Sequence, residues 1–210
     1  KGADINARDK EGTTALIAAA TFSLVYNKAD NLEVVKALVE GGSFLLFKTN
    51  KGADINARDI ELGGVTALMM ASFVGDLEVV KYLISKGADV DVRTKYGKTA
   101  LSNAKTEEIK YVLLYASDTK KCDLGDVSAC GRVGSAYFLG KGTTKNLKLA
   151  KSYLEKSCKK ESDLGCFMLG LMYDRGDGVK QNLSKAKELY GKACNLGLQE
   201  GCNEYKKLNK

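Results

Sequence analysis

Apolar residues fall at helical spacing in two closely matched segments, "DNLEVVKALV" at 30–39 and "GDLEVVKYLI" at 75–84. In each, apolar positions recur three and four apart, so one helix face can be buried while Glu and Lys face water. Upstream of both stands a shorter apolar stretch opened by threonine, "TALIAAA" at 14–20 and "TALMMAS" at 66–72; "TALSNAK" at 99–105 is a third copy. Before these the chain reads "KGADINARD" at 1–9 and again at 51–59, then "KGADVDVRT" at 86–94. Gly-Ala-Asp turns the chain, Thr caps a short helix, and Asp or Asn with Glu starts a second one. The "DIN" within the second copy, Asp54–Asn56, reads as ordinary turn chemistry. A turn, a short helix and an amphipathic helix therefore recur as one unit.

From about residue 118 the pattern changes. Placing Cys130 on Cys166 superimposes "GSAYFLGKGTTKNLKLAKSYLEKSC" on "GLMYDRGDGVKQNLSKAKELYGKAC", a period of 36 residues. Tyr137 falls on Tyr173, Gly140 and Gly142 on Gly176 and Gly178, and Asn146-Leu147 on Asn182-Leu183. Glycines turn the chain, small residues allow close helix crossing, and Asn-Leu opens the next helix. "TEEIKYVLLYA" (106–116) reads as the last helix of the first half, with no Pro/Gly/Ser linker before Cys122. The two halves are expected to stack directly.

The first half, about residues 1–116, resembles the ankyrin repeat, whose unit is a β-hairpin finger followed by two antiparallel helices. It departs from the family's Thr-Pro-Leu-His: Thr14-Ala15-Leu16-Ile17, Thr66-Ala67-Leu68-Met69 and Thr99-Ala100-Leu101-Ser102 stand there instead. The proline of the first helical turn and the histidine that bonds between neighbouring repeats are absent, so helix starts are expected to be somewhat weaker. The first repeat carries about seven extra residues around "TFSLVYNKAD" and about ten more in "GGSFLLFKTNKG" at 41–52, and the third is shortened. The second half, about 118–210, resembles the Sel1-like repeat in its cysteine-rich bacterial version. Together the resemblances imply an all-α helical-repeat solenoid, about two and a half ankyrin-like repeats over 1–116 and two and a half Sel1-like repeats over 117–210.

On that resemblance, the six cysteines take on a role. Cys122, Cys158 and Cys194 each end a repeat's second helix, and Cys130, Cys166 and Cys202 open the next repeat's first helix. Bridging them closes a short loop at each helix–helix corner, about 2.5 kcal/mol apiece by loop entropy. The competing reading is zinc, which usually takes C-x₂₋₄-C pairs, often with His; here seven residues separate each pair and the chain has no His. Disulfides imply an oxidising compartment, the periplasm or the medium.

Composition narrows this further. No apolar run approaches the roughly 18–20 residues that span a bilayer. The start, "KGADINARDKEG", has no signal-peptide pattern and reads as a mature or truncated product, so it says little about compartment. Residues 1–116 carry 15 Lys/Arg and 15 Asp/Glu, whereas 117–210 carry 18 against 11, so the net +7 lies in the second half. A basic excess can meet an acidic partner, nucleic acid or an anionic surface, or simply keep a repeat array soluble. Arginines and aromatics for base readout are scarce there, which disfavours nucleic acid.

Catalytic chemistry is poorly represented. Without histidine the usual general base and metal ligand are missing, and no P-loop or GxGxxG occurs. Cysteine-rich Sel1-like proteins are associated with penicillin binding and β-lactamase activity, which raises the S-x-x-K motif of such serine enzymes. In the second half it occurs at Ser117–Lys120, Ser157–Lys160 and Ser184–Lys187, unaccompanied by Ser-Asp-Asn or Lys-Thr-Gly, in a lysine-rich region where chance matches are expected. The chain is read as a non-enzyme, with no catalytic residues, metal or cofactor.

Partners of ankyrin-like proteins are usually held by finger tips and first helices. Mapped here, the tips offer Arg8, Lys10, Glu11, Arg58, Ile60, Glu61, Arg93, Lys95 and Tyr96, and the positions after the first-helix motifs are Thr21, Phe22, Phe73 and Val74. Phe22 and Phe73 would form an apolar centre with a charged rim, or pack under the inserted loops. The run Phe44–Phe47 either binds something or folds back on "SLVY" at 23–26. The expected function is a protein–protein interaction scaffold of an extracytoplasmic bacterial compartment, holding one protein partner on its concave face. A narrower version makes it an inhibitor or immunity protein of a secreted toxin or effector; the alternative is a peptidoglycan- or β-lactam-binding protein.

Overall fold

The structure is a computed structural model that describes residues 4–10, 12–21, 28–40, 43–44, 47–48 and 52–209. The chain divides into two compact units, Lys1–Leu113 and Leu114–Lys210. Among the described residues, ten α-helices account for most of the structure, so the chain is a helical-repeat solenoid.

In the first unit α1 (Ala15–Thr21) and α2 (Lys28–Glu40) form one pair, and α3 (Ala67–Val74) and α4 (Leu77–Ser85) the next. α1 packs on α3 and α2 on α4, so equivalent helices of neighbouring repeats face each other. Leu16, Ile17, Ala20, Val35, Leu68, Met69, Val79, Val80 and Leu83 are buried between them. Threonine does cap α3: the Met69 N–H donates to Thr66 Oγ1 at 3.4 Å, a long bond. α4 is capped by Asp76, which accepts from Val79 N–H at 3.2 Å.

The first repeat differs at the corresponding point. Inserted residues continue α2 upstream to Lys28, which leaves Asn31 inside the helix rather than at its start. Asn31 is buried, and its Nδ2 donates to Asp76 Oδ2 across the repeat boundary at 3.3 Å. The third copy of the short helix is reduced to one 3₁₀ turn, Leu101–Asn103, where Thr99 and Ser102 bond each other reciprocally. Among the described residues the expected hairpin fingers are closed by tight-turn bonds and one Arg8–Thr14 bridge. Among the described residues the one strand pair, β1 (Ser43–Phe44) with β2 (Phe47–Lys48), lies in the second insertion. The proposed packing of that run on residues 23–26 lies outside the described residues.

α5 (Glu107–Asp123) contains the division between the units. Beyond it run α6 (Val127–Leu139), α7 (Leu147–Lys159), α8 (Asp163–Arg175), α9 (Leu183–Asn195) and α10 (Gln199–Lys207). Each of α6 to α9 has a side-chain N-cap, Asp126, Asn146, Ser162 and Asn182 in turn, accepting an N–H three residues on at 2.9–3.1 Å. From α6 onward each helix packs on the next, and α6 also meets α8, its equivalent one repeat later. Ala150, Leu154, Cys166, Met172 and Ala193 sit in this core.

Three disulfides join Cys122 to Cys130, Cys158 to Cys166 and Cys194 to Cys202, with Cα atoms 4.7, 4.5 and 4.5 Å apart. They clamp α5 to α6, α7 to α8 and α9 to α10, one bridge at each of these corners.

Candidate functional site

The finger of the second repeat is longer than that of the first. Between the Asp and the Thr that opens the helix, "DKEGTT" spans 9–14 whereas "DIELGGVT" spans 59–66. Two glycines at positive φ, Gly63 (77°) and Gly64 (90°), let the extra residues fold into a tight tip. That tip carries Ile60 and Leu62, 69% and 54% exposed, and the next finger carries Tyr96, 71% exposed. A large apolar side chain left in water on a rigid turn is what an interface core offers before binding. Leu62 is absent from the residues singled out in the sequence; the two-residue length difference between fingers was the signal for it.

The fingers are tied to one another. Arg8 Nη1 donates to the Arg58 carbonyl at 2.6 Å, and the Arg58 guanidinium donates to the Arg93 carbonyl one repeat on. Asp59 is buried and accepts from Thr13 Oγ1 at 2.5 Å and from Leu62 N–H at 2.7 Å, so it holds the first finger and the second tip at once. Lys95 N–H donates to the Gly63 carbonyl at 2.8 Å, and its ammonium lies 5.0 Å from the Tyr96 ring centroid.

The "DIN" segment carries more than turn chemistry. Asn6 Oδ1 accepts from Asp54 N–H at 2.7 Å and Asn56 Oδ1 from Asp89 N–H at 2.8 Å, while Asn56 Nδ2 reaches the Gly87 carbonyl at 3.4 Å. This asparagine ladder links adjacent repeats, the service for which the missing histidine was expected.

Among the partner-binding candidates, Lys10, Ile60, Glu61, Lys95 and Tyr96 are exposed at the tips. Arg8 and Arg58 are exposed but engaged between fingers, and Arg93 bonds the Gly97 carbonyl of its own finger at 3.3 Å. Phe73, 58% exposed, stands in the last turn of α3, away from the finger turns along the chain. Val74 is a correction: it is 5% exposed, because the helical turn that points Phe73 to water points its neighbour into the core. Glu11 and Phe22 lie outside the described residues.

In the second unit, Tyr115 and Tyr137 share a hydroxyl–hydroxyl hydrogen bond of 2.7 Å, and Tyr137 stacks on Tyr153 at 5.8 Å. The shared bond, then burial, pushes the Tyr137 hydroxyl up to about 12. Asp118 receives Arg132 through both carboxylate oxygens at 2.7–3.0 Å, and the pair raises the arginine further. Of the S-x-x-K serines, Ser157 is buried with its hydroxyl donating to the Leu154 carbonyl at 3.2 Å, and Ser184 is exposed on α9. Ser117 is buried in α5. Among the described residues no group of three or more His, Cys, Asp or Glu is placed to hold a metal ion.

Residues 1–94 and 24–124 match the profile of ankyrin repeats (three copies), and residues 127–162 and 164–198 each match that of the Sel1 repeat. The chain belongs to the ankyrin-repeat family. Its C-terminal part carries Sel1 repeats. This ankyrin-repeat chain is 38% identical over 96 residues to ankyrin repeat and SAM domain-containing protein 6 of Rattus norvegicus, covering 46% of the chain and 9% of that protein. It is 33% identical over 103 residues to NAD-dependent deacetylase sir2B of Dictyostelium discoideum, covering 48% of the chain and 12% of that protein. A shorter stretch of 44 residues, 21% of the chain, is 57% identical to ankyrin repeat and KH domain-containing protein 1 of Homo sapiens, 2% of whose length it covers. The chain thus matches about a tenth or less of the length of these curated relatives. Both repeat types point to a protein–protein interaction scaffold. Among the described residues no helix is long and apolar enough to cross a membrane.

Proposed function

We propose that this ankyrin-repeat chain binds one protein partner through its finger tips, with Ile60, Leu62 and Tyr96 as apolar contacts and Lys10, Glu61 and Lys95 as the charged surround. The observation that carries the reading is the exposure of three large apolar side chains on turns fixed by Asp59 and the Arg8–Arg58–Arg93 relay. Side chains held in place before binding lose little entropy on association. Phe73, exposed in the last turn of α3, is a further apolar contact offered by the same unit. The protein acts as a scaffold rather than an enzyme, in an extracytoplasmic compartment of a bacterium, a location favoured by three disulfides that a reducing cytosol would not sustain. A role as inhibitor or immunity protein of a secreted effector suits a single partner held by rigid tips.

The test is affinity capture with the oxidised protein from periplasmic and secreted fractions, followed by exchange mapping of the captured complex. One stoichiometric partner should protect the amides of residues 59–64 and 94–97, and the combined Ile60→Asp and Tyr96→Asp variant should lose it while keeping its melting temperature. A partner retained by that variant would refute the tip assignment.

A further inference from the structure

The two Sel1 repeats have helices of equal length but differ in what surrounds one equivalent tyrosine. In the earlier repeat the Tyr137 hydroxyl bonds Tyr115 and its ring stacks on Tyr153, and the nearby positions 115, 144 and 149 are Tyr, Thr and Leu. Thirty-six residues later the equivalent positions are Lys151, Lys180 and Lys185 around Tyr173. There the tyrosine packing gives way to an open groove of about 460 Å³, lined by those three lysines with Tyr173, Gln181 and Asn182. Among the described residues no Asp or Glu lines it. Its volume lies in the range of pockets that hold a small ligand or a peptide segment.

The polar side chains of the groove are ordered from behind. Gln181 Nε2 donates to the Asp174 carbonyl at 2.7 Å, and Asn182 Oδ1 caps α9 by accepting from Lys185 N–H at 2.9 Å. The Lys185 ammonium lies 4.5 Å from the centroid of Tyr173, and the nearness of that side chain raises its pKa. Lys151 is held only loosely by Glu155, at 3.6 Å, and among the described residues Lys180 has no ion-pair partner. The positive end of α9, a helix of 13 residues, opens at Asn182 and adds to the same field. Lysines serving only solubility would be spread over helix faces; here three converge on one concavity within the basic unit.

We propose that this groove binds a carboxylate-rich peptide segment. Charge complementarity selects an anion. The face of Tyr173 is occupied by Lys185, so no open aromatic platform is offered for stacking a base. Phosphate is commonly gripped by the arginine fork, and no arginine lines the groove. The groove lies entirely in the C-terminal unit, and the assignment does not depend on the finger-tip reading.

The experiment is fluorescence anisotropy of a labelled oligoglutamate peptide with the oxidised full chain at low salt. Arms with inorganic phosphate and a single-stranded oligodeoxynucleotide as competitors distinguish anion classes. The combined Lys151→Gln, Lys180→Gln and Lys185→Gln variant is compared with Lys121→Gln, Lys159→Gln and Lys206→Gln, which removes the same charge from exposed positions elsewhere. Each groove lysine is worth about two- to five-fold, so the groove variant should bind on the order of tenfold more weakly or worse while the control variant changes little. Equal loss in both variants would reduce the effect to net charge and overturn the proposal, as would no binding. Competition by phosphate or by the oligonucleotide stronger than that of unlabelled peptide would overturn the carboxylate assignment.

Discussion

Three tyrosines carry much of the chemistry visible at single residues. The Tyr82 hydroxyl is pushed up to about 12 by burial and by its 3.0 Å bond to Glu40, and Tyr137 reaches about 12 through the bond it shares with Tyr115. Tyr190, fully buried with its hydroxyl on Asp174 at 3.1 Å, is raised as well. In the unfolded chain tyrosine ionises near pH 10, so above that value the unfolded state releases protons that the folded state keeps. Stability from these groups is therefore fully present below pH about 10 and is lost as pH rises toward about 12. Denaturation midpoints should be level below that window and fall steeply within it, and Tyr82→Phe or Tyr137→Phe should each flatten part of the fall. An unchanged slope in both variants would count against the hydrogen-bonded tyrosines as its source. Residue-scale features of this kind were hard to see in the sequence. A tyrosine reads the same whether its hydroxyl meets water or Glu40, and Asn56 reads as a turn residue until the next repeat is beside it.

The pairing of helices depends on where bulk is missing. Gly134 on α6 faces Leu154, and Gly170, its equivalent on α8, faces Tyr190; a Cβ at either would come within 2.7 Å of the opposing side chain. Leu154 and Tyr190 are both fully buried, so neither has room to yield. Helix propensity and packing thus make opposite forecasts for alanine: propensity favours it by about 1 kcal/mol, while overpacking costs typically 1–3 kcal/mol. Packing should win, and Gly134→Ala and Gly170→Ala should each be destabilised in a urea melt. Gly191 is the internal comparison, since its Cβ would meet the ring of Tyr205 at 3.1 Å, which is 37% exposed and has solvent to turn into. Gly191→Ala should be near neutral, and parity among the three would undo the packing account. At this scale the sequence was informative: a period of 36 residues aligned glycine with glycine and cap with cap, because each repeat must solve the same crossing. The insertions of the first repeat had no second copy to align with. The helical start at Lys28 and the strand pair at Ser43–Lys48 were accordingly not foreseen.

The two units are held together internally by different means. The first relies on side-chain relays between fingers and has no cysteine, whereas the second has a covalent clamp at three corners. In the loop-entropy account each clamp contributes about 2.5 kcal/mol, and three together approach the roughly 5–15 kcal/mol that separates an ordinary domain from unfolding. Oxidation state should therefore decide whether Leu114–Lys210 is folded. The clamps are not equally protected. Cys122, Cys130, Cys158 and Cys166 are at most 4% exposed, while Cys194 and Cys202 are only partly buried, since no later helix among the described residues packs over α10. A thiolate must reach a sulfur to exchange with it, so access orders the reaction. Under native conditions a mild reductant should open Cys194–Cys202 first, with the other two following only when the unit itself opens. Timed alkylation and peptide mapping read that order directly, and far-ultraviolet circular dichroism should lose helix in step with the later two bridges. Simultaneous labelling of all six thiols would mean that the unit opens before any bridge is reduced, and that the accessibility of the individual sulfurs does not order the reaction.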